Sequence, residues 1–68
     1  MKQIQIRDEY ITLGQFLKLC NVVSSGIEAK IIIQDEQVKV NGQMEVRRGK
    51  KLRIGDTIEI LDQQFEII

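Results

Sequence analysis

The spacing of apolar residues changes between Ile33 and Val38, and that change restricts the fold more than any other feature. Between Thr12 and Ile33 apolar side chains recur at intervals of three and four, as on helices, and from Val38 onward they alternate, as on strands. Helices therefore come before most of the strands. The opening QIQIR, with Ile4 and Ile6 between polar neighbours, adds one short half-buried strand at the front. The order strand, helix, helix, then several strands predicts an α+β fold: a compact single domain over residues 1–68, with two N-terminal helices packed on a small, mostly antiparallel sheet.

The helix boundaries are written in side-chain chemistry. Thr12 can cap the first helix and Gln15, three residues on, can reach back to the cap, while Ile11 and Phe16 sit where a hydrophobic staple needs them. Leu13, Phe16, Leu17 and Cys20 then share one face, and the helix is expected to end near Asn21. In SSGIEAK, Ser25 followed by Glu28 reads as a second capping box, with Ala29, Ile32 and Ile33 as the buried stripe. The run Ile31 to Ile33 is β-branched and suits a strand equally well, so the residues alone leave this element open.

The strands bring a conflict of their own. Asn41-Gly42 favours a two-residue hairpin turn, which would set Val40 opposite Gln43 and Lys39 opposite Met44 and mix apolar with polar partners. A three-residue loop pairs Val40 with Met44, Val38 with Val46 and Lys39 with Glu45, and face consistency favours that register. It also puts Lys39 and Arg47 on the solvent face, opposite Val38, Val40 and Val46, with Arg48 to Lys51 in a connecting loop. A Gly55-Asp56 turn precedes a strand through Thr57 to Ile60, and QFEII returns as a last strand after Asp62-Gln63-Gln64.

Size and inventory exclude several functions. Sixty-eight residues can bury only one small core and leave no room for a large catalytic cleft. The chain has no histidine and a single cysteine, which removes zinc sites, histidine-based triads and an internal disulfide. Cys20 lies on an apolar helix face and reads as structural rather than nucleophilic. No catalytic residue, metal or cofactor is expected. With no signal-like or membrane-spanning run, a cytoplasmic setting away from membranes is expected.

Charge is distributed unevenly under a net of zero. Lys39, Arg47, Arg48, Lys50, Lys51 and Arg53 are six of the ten basic residues, opposed between Gln37 and Gly55 only by Glu45, so that segment is +5. Residues 1–36 carry −1 and residues 56–68 carry −4. Such a cluster can bind phosphate oxygens, through guanidinium forks and lysine point charges, and can equally be a solvated loop. A second element points the same way: a helix starting at Ser25 would leave amides at Gly26, Ile27 and Glu28 free for an anion, with Lys30 one turn on. Plain capping explains that element alone. Of the three aromatic residues only Tyr10 reads as exposed, so serial base stacking is disfavoured and recognition of a structured nucleic acid by backbone and shape fits better.

The ordered set Leu13, Phe16-Leu17, Ser24-Ser25, Glu28-Ala29, Val38, Val40-Asn41-Gly42 and Gly55-Asp56 resembles the RNA-binding domain named after ribosomal small-subunit protein four, the alpha-L motif, over about residues 11–60. It is most similar to the small stand-alone bacterial members of the YaaA-like kind. The resemblance implies that SSGIEAKIII is helical and that the partner is structured RNA, ribosomal or transfer RNA, contacted by the helix starts and the adjoining hairpin. Carried onto this chain, the RNA-binding residues are Thr12, Ser25, Gly26, Lys30, Lys39, Asn41, Arg47, Arg48, Lys50 and Lys51. Thr12, Gly14, Gln15 and Gly26 depart from the charged residues common in the family, and the RRGKK run is where compensation would lie. A monomeric, non-enzymatic RNA-binding module, in contact with RNA or the ribosome, is the expected function. An adaptor whose cations meet an acidic protein is the competing class.

Overall fold

The computed structural model describes residues 1–68. Its elements are β1 (Lys2–Ile4), β2 (Ile11–Thr12), α1 (Leu13–Leu19), α2 (Gly26–Gln34), β3 (Val38–Val40), β4 (Gln43–Met44), β5 (Lys51–Leu52), β6 (Thr57–Ile60) and β7 (Gln63–Ile67). Five strands form one sheet in the order β1-β7-β6-β3-β4, antiparallel except where β1 runs parallel to β7, and β2 pairs with β5 as a separate antiparallel ribbon. The expected α+β arrangement is present, and the isoleucine run is helical.

Both helices begin and end as their local chemistry dictates. Thr12 Oγ1 accepts from the Gln15 amide at 3.4 Å and Gln15 Oε1 accepts from the Thr12 amide at 3.3 Å, the reciprocal box read from the sequence. Asn21 ends α1 in the left-handed region at φ 61°, with the Val22 amide donating to the Leu17 carbonyl and the Asn21 amide to the Lys18 carbonyl. Glu36 ends α2 in the same manner, its φ also 61°. Each is a Schellman-type stop, built without the usual glycine. The first stop leaves only six residues between the helices, Cys20 to Ser25, and the second turns the chain from α2 into β3.

The helices and the inner face of the sheet close one core. Leu13, Phe16 and Leu17 of α1 and Ala29 and Ile33 of α2 are buried with Val38, Val40, Ile58, Ile60, Phe65 and Ile67 of the sheet, and Val23 and Leu52 complete the set. Phe16 meets Phe65 edge to face at 5.7 Å between ring centres, a geometry worth about 0.5–1.5 kcal/mol beyond area burial. No charged or polar residue is buried. Ile32 is only half-buried, and Ile31 faces solvent.

The hairpin differs from expectation. Lys39 pairs with Met44 and Val40 with Gln43, so the connection is the two-residue turn that face consistency argued against. Asn41 at φ 52° and Gly42 at φ 83° both occupy the left-handed region, the conformation of a type I′ turn. The objection fails because β4 is an edge strand with nothing packed on it: Met44 is 52% exposed and Val46 50%, so neither belongs to the core that the longer loop would have served. Arg47 consequently lies beyond the strand rather than on a face set by Val46. The last strand also starts earlier than expected, at Gln63, after a two-residue turn with Leu61 at φ 47° and Asp62 at φ 65°.

Candidate nucleic-acid interface

After the hairpin the chain turns back across the start of α1. The amides of Leu13 and Gly14, which no helical carbonyl can reach, donate to the carbonyls of Lys50 at 2.8 Å and Arg48 at 2.9 Å. The basic segment is thus bonded to a helix start, not loose in solvent. It then becomes β5, so Lys51 stands in a strand, where the sequence suggested a loop.

Arg48 is the centre of this arrangement. Its stem crosses Gly14 so closely that a Cβ there would lie 2.6 Å from Arg48 Cγ, and its Nη1 donates to the Gly26 carbonyl at 3.3 Å. One arginine therefore spans the starts of both helices. Beneath it lies a polar cleft of about 250 Å³ walled by Thr12, Gln15, Lys18, Gly26 and Arg48, with Gly14 and Gly49 completing it and no hydrophobic side chain in its lining. Beside it, a shallow depression of about 560 Å³ is lined by Arg47, Lys50, Lys51, Arg53 and Gly49, four cations and a glycine. Gly49 belongs to both.

The start of α2 is partly occupied by its own side chains. Ser25 Oγ accepts from the Glu28 amide at 3.2 Å, so that amide is not free as the sequence suggested. The Glu28 carboxylate accepts from the Ser24 hydroxyl at 2.6 Å and its amide at 3.3 Å, reaching one residue further back than a standard box, and these bonds hold it below the usual carboxylate range. The amides of Gly26 and Ile27 keep no partner within the chain.

Not every cation is available in the same way. Arg47 is forked onto Glu45, Nε to Oε2 at 3.0 Å and Nη2 to Oε1 at 3.3 Å, while Glu45 Oε2 also accepts the amides of Val46 and Arg47. Hydrogen bonding from Arg47 is the main cause holding the Glu45 carboxyl below its ordinary range. Lys39 lies on another part of the surface: it pairs across the sheet with Glu59 and borders depressions shared with Glu36, Glu59 and Asp62. Asn41 is engaged structurally, its Nδ2 donating to Asp56 at 3.1 Å and its Oδ1 accepting from the Thr57 amide at 2.9 Å and hydroxyl at 3.3 Å. Lys30 is exposed one helical turn beyond Gly26.

Of the ten residues expected to contact RNA, the structure gathers Thr12, Gly26, Arg47, Arg48, Lys50 and Lys51 around two adjoining depressions; Ser25 caps the helix beside them, Lys30 follows, and Lys39 and Asn41 lie apart. It adds Gln15, Lys18 and Arg53. Arg53 carried a sequence signal as part of the basic run and Gln15 as a capping partner at the first helix start; Lys18 carried none. Tyr10, 40% exposed, has the Lys51 ammonium 4.8 Å and the Arg53 guanidinium 5.8 Å from its ring centre, which ties the aromatic to the same cations.

Comparison with known proteins places this geometry in a family. The model of the S4 domain matches residues 4–68. RlbA of Bacillus subtilis strain 168, named a probable ribosome maturation protein, is 51% identical over 57 residues, 84% of this chain and 80% of RlbA. YbcJ of Escherichia coli strain K12, named a putative RNA-binding protein, is 34% identical over 59 residues, 87% of this chain and 84% of YbcJ. The solution structure of E. coli YbcJ, described as revealing an αL motif involved in RNA binding, superposes with a TM-score of 0.75 at 30% identity, covering all of this chain and 87% of that one. The 30S ribosomal protein S4e of Thermoplasma acidophilum superposes with a TM-score of 0.66 at 25% identity, covering 88% of this chain and 32% of that one. Matched by the S4 domain model over residues 4–68 and superposed along its whole length on an αL-motif structure, the chain belongs to the S4 domain family, whose fold is the alpha-L motif.

Proposed function

We propose that the chain is a non-catalytic RNA-binding module that holds structured RNA by its backbone phosphates. The observation that carries this reading is Arg48: a cation seated between two helix starts in the wall of a polar cleft, which adjoins through Gly49 a depression lined by four further cations. Phosphate binding needs donors and positive charge on an accessible surface, and it positions a ligand without reading its sequence. Thr12, Gln15, Lys18, Ser25, Gly26 and Lys30 contribute hydrogen-bonding groups and charge from the helices; Arg48, Lys50, Lys51 and Arg53 contribute charge from the returning segment. Arg47 takes part with its charge offset by Glu45. The relation to RlbA and to a ribosomal protein supports ribosomal RNA, or an assembling ribosome, as the source of that ligand, with the chain acting as a monomer.

The test is salt dependence. With about five phosphates neutralised, the logarithm of the association constant should fall with the logarithm of salt at a slope near −3.5 to −4.5. Replacing Arg48, Lys50, Lys51 and Arg53 with alanine should flatten that slope by roughly 0.7–0.9 for each phosphate that is no longer neutralised. Affinity independent of salt, or unmoved by those four changes, would exclude the reading; a partner protein retained after RNase treatment would instead favour the adaptor.

A further inference from the structure

The phosphate-binding surface does not end at its cations. The register of the β2–β5 ribbon sets Ile11 against Leu52 and Thr12 against Lys51, so its continuation places Tyr10 opposite Arg53. Ile11 and Leu52 turn toward the core, and strand alternation sends Tyr10, Lys51 and Arg53 to the other face. There the two cations stand 4.8 and 5.8 Å from the tyrosine ring centre. Cation–π attraction at such distances restrains an exposed ring that would otherwise rotate freely.

Tyr10 also borders an open groove of about 710 Å³. Ile6, Ile11 and Leu19 give the groove an apolar wall, and Arg7, Lys18 and Asp8 stand on its polar side. Gln15 and Lys18 line both this groove and the cleft under Arg48, and the cleft in turn shares Gly49 with the cationic depression, to which Lys51 and Arg53 belong. The three hollows form one continuous tract. Apolar surface has no use for a phosphate, whereas a nucleobase offers an aromatic face to stack and polar edges to hydrogen-bond.

Resting on the RNA-binding reading above, we infer that the groove beside Tyr10 receives one unpaired nucleobase, stacked on the tyrosine, while the flanking phosphates lie on the cations of the adjoining hollows. The RNA recognised is then a helix interrupted by an unpaired nucleotide, a bulge or a loop edge, in preference to a perfect duplex. Paired bases within a helix present no free face to a side chain; an unpaired one can swing out with little loss of stacking or pairing. A single ring serves one base, which matches an exposed aromatic inventory of one.

Tyr10 is the only tyrosine and there is no tryptophan, so the intrinsic emission of the chain reports on this ring directly. The experiment titrates the full chain with two hairpin RNAs that differ by one unpaired nucleotide in the stem. The bulged RNA should quench the emission and the fully paired one should leave it nearly unchanged. Tyr10→Leu should weaken binding of the bulged hairpin roughly tenfold, within the range measured for base–aromatic stacking, and change binding of the paired hairpin less than about twofold. Tyr10→Phe keeps a stacking face and should bind both like the parent chain. Equal losses on both RNAs with Tyr10→Leu, or no loss on either, would overturn the inference and leave the phosphate reading intact. If neither hairpin binds the parent chain, both fail together. Adenosine monophosphate alone should not quench; quenching as strong as that by bulged RNA would overturn the assignment to a nucleotide within an RNA helix.

Discussion

Gly14→Ala should separate the stability of this domain from its affinity for RNA. Gly14 lies in the first turn of α1, where alanine is the better helix former by up to about 1 kcal/mol. The added Cβ would sit 2.6 Å from Arg48 Cγ, closer than carbon atoms can pack, 3.2 Å from its Cδ, a tight contact, and 3.5 Å from the Arg48 carbonyl, an ordinary separation. The backbone can therefore stay and the stem of Arg48 must move. Its hydrogen bond to the Gly26 carbonyl, exposed and at 3.3 Å, would break, which costs about 0.5–1.5 kcal/mol. The two effects nearly cancel, and urea unfolding should place the variant within about 1 kcal/mol of the parent chain. Binding behaves differently. Arg48→Ala removes a charge-assisted interaction and should weaken RNA binding by roughly tenfold, with the salt slope flatter by about 0.7–0.9. Gly14→Ala should approach that loss by displacing the same guanidinium. The double variant is decisive: with no arginine to displace, Gly14→Ala should leave binding unchanged and raise stability by up to about 1 kcal/mol. A binding loss from Gly14→Ala that persists in the Arg48→Ala background would refute the claim that position 14 acts through Arg48.

Two further outcomes concern groups away from that crossing. Asn41→Ala gives up the three bonds that join the hairpin turn to Asp56 and Thr57 and forces a non-glycine residue without a local partner to stay at φ 52°; urea unfolding should show a loss of about 2–3 kcal/mol, and Asn41→Gly, which tolerates that φ, about 1 kcal/mol less. RNA affinity of the folded fraction should not change with either, in keeping with a structural role for this side chain. Burial pushes the Cys20 thiol up to about 11, against a smaller opposing pull from Lys2, so its alkylation rate by iodoacetamide should still be climbing above pH 9; a plateau near pH 9 would contradict the burial. The neutral thiol is favoured in the folded chain, so between about pH 9 and 11 the unfolded chain loses this proton first and stability should fall as pH rises.

Short-range chemistry is legible in the sequence and long-range pairing is not. The box joining Thr12 and Gln15 spans three residues and forms as read; that of Ser25 forms by half, because Glu28 turns to the nearby Ser24 hydroxyl instead of its capping amide. The hairpin register is misread when Met44 and Val46 are taken for core residues, since only the order of strands, invisible in the residues, reveals that β4 is an edge with no covering layer. Turn chemistry at Asn41-Gly42 decides the register; at Leu61-Asp62 no glycine announces the turn at all. The cation cluster is visible as charge, yet its division is not. Arg47 is withdrawn onto Glu45 by a bond across two residues, Lys39 is placed among acids by its pairing with Glu59, and Arg48 is singled out by its crossing of Gly14, far away in sequence. Tyr10 reaches Lys51 and Arg53 only because two strands of two residues each meet, too short to leave a periodic trace.

The pairing of β1 with β7 has a mechanical meaning. These strands run parallel, with Lys2 beside Phe65, Gln3 beside Glu66 and Ile4 beside Ile67, and the Ile68 amide donates to the Ile4 carbonyl at 3.0 Å while the Ile6 amide donates to the Ile68 carbonyl at 3.3 Å. Tension applied between residue 1 and residue 68 would pull the two strands past each other along their length, loading their hydrogen bonds in shear at the same moment. An antiparallel pair held at one end would give way bond by bond. Tension across these two strands therefore meets resistance before it reaches the segment between them, and the cation-bearing ribbon and helix starts, which lie in that segment, keep their shape until the clasp fails.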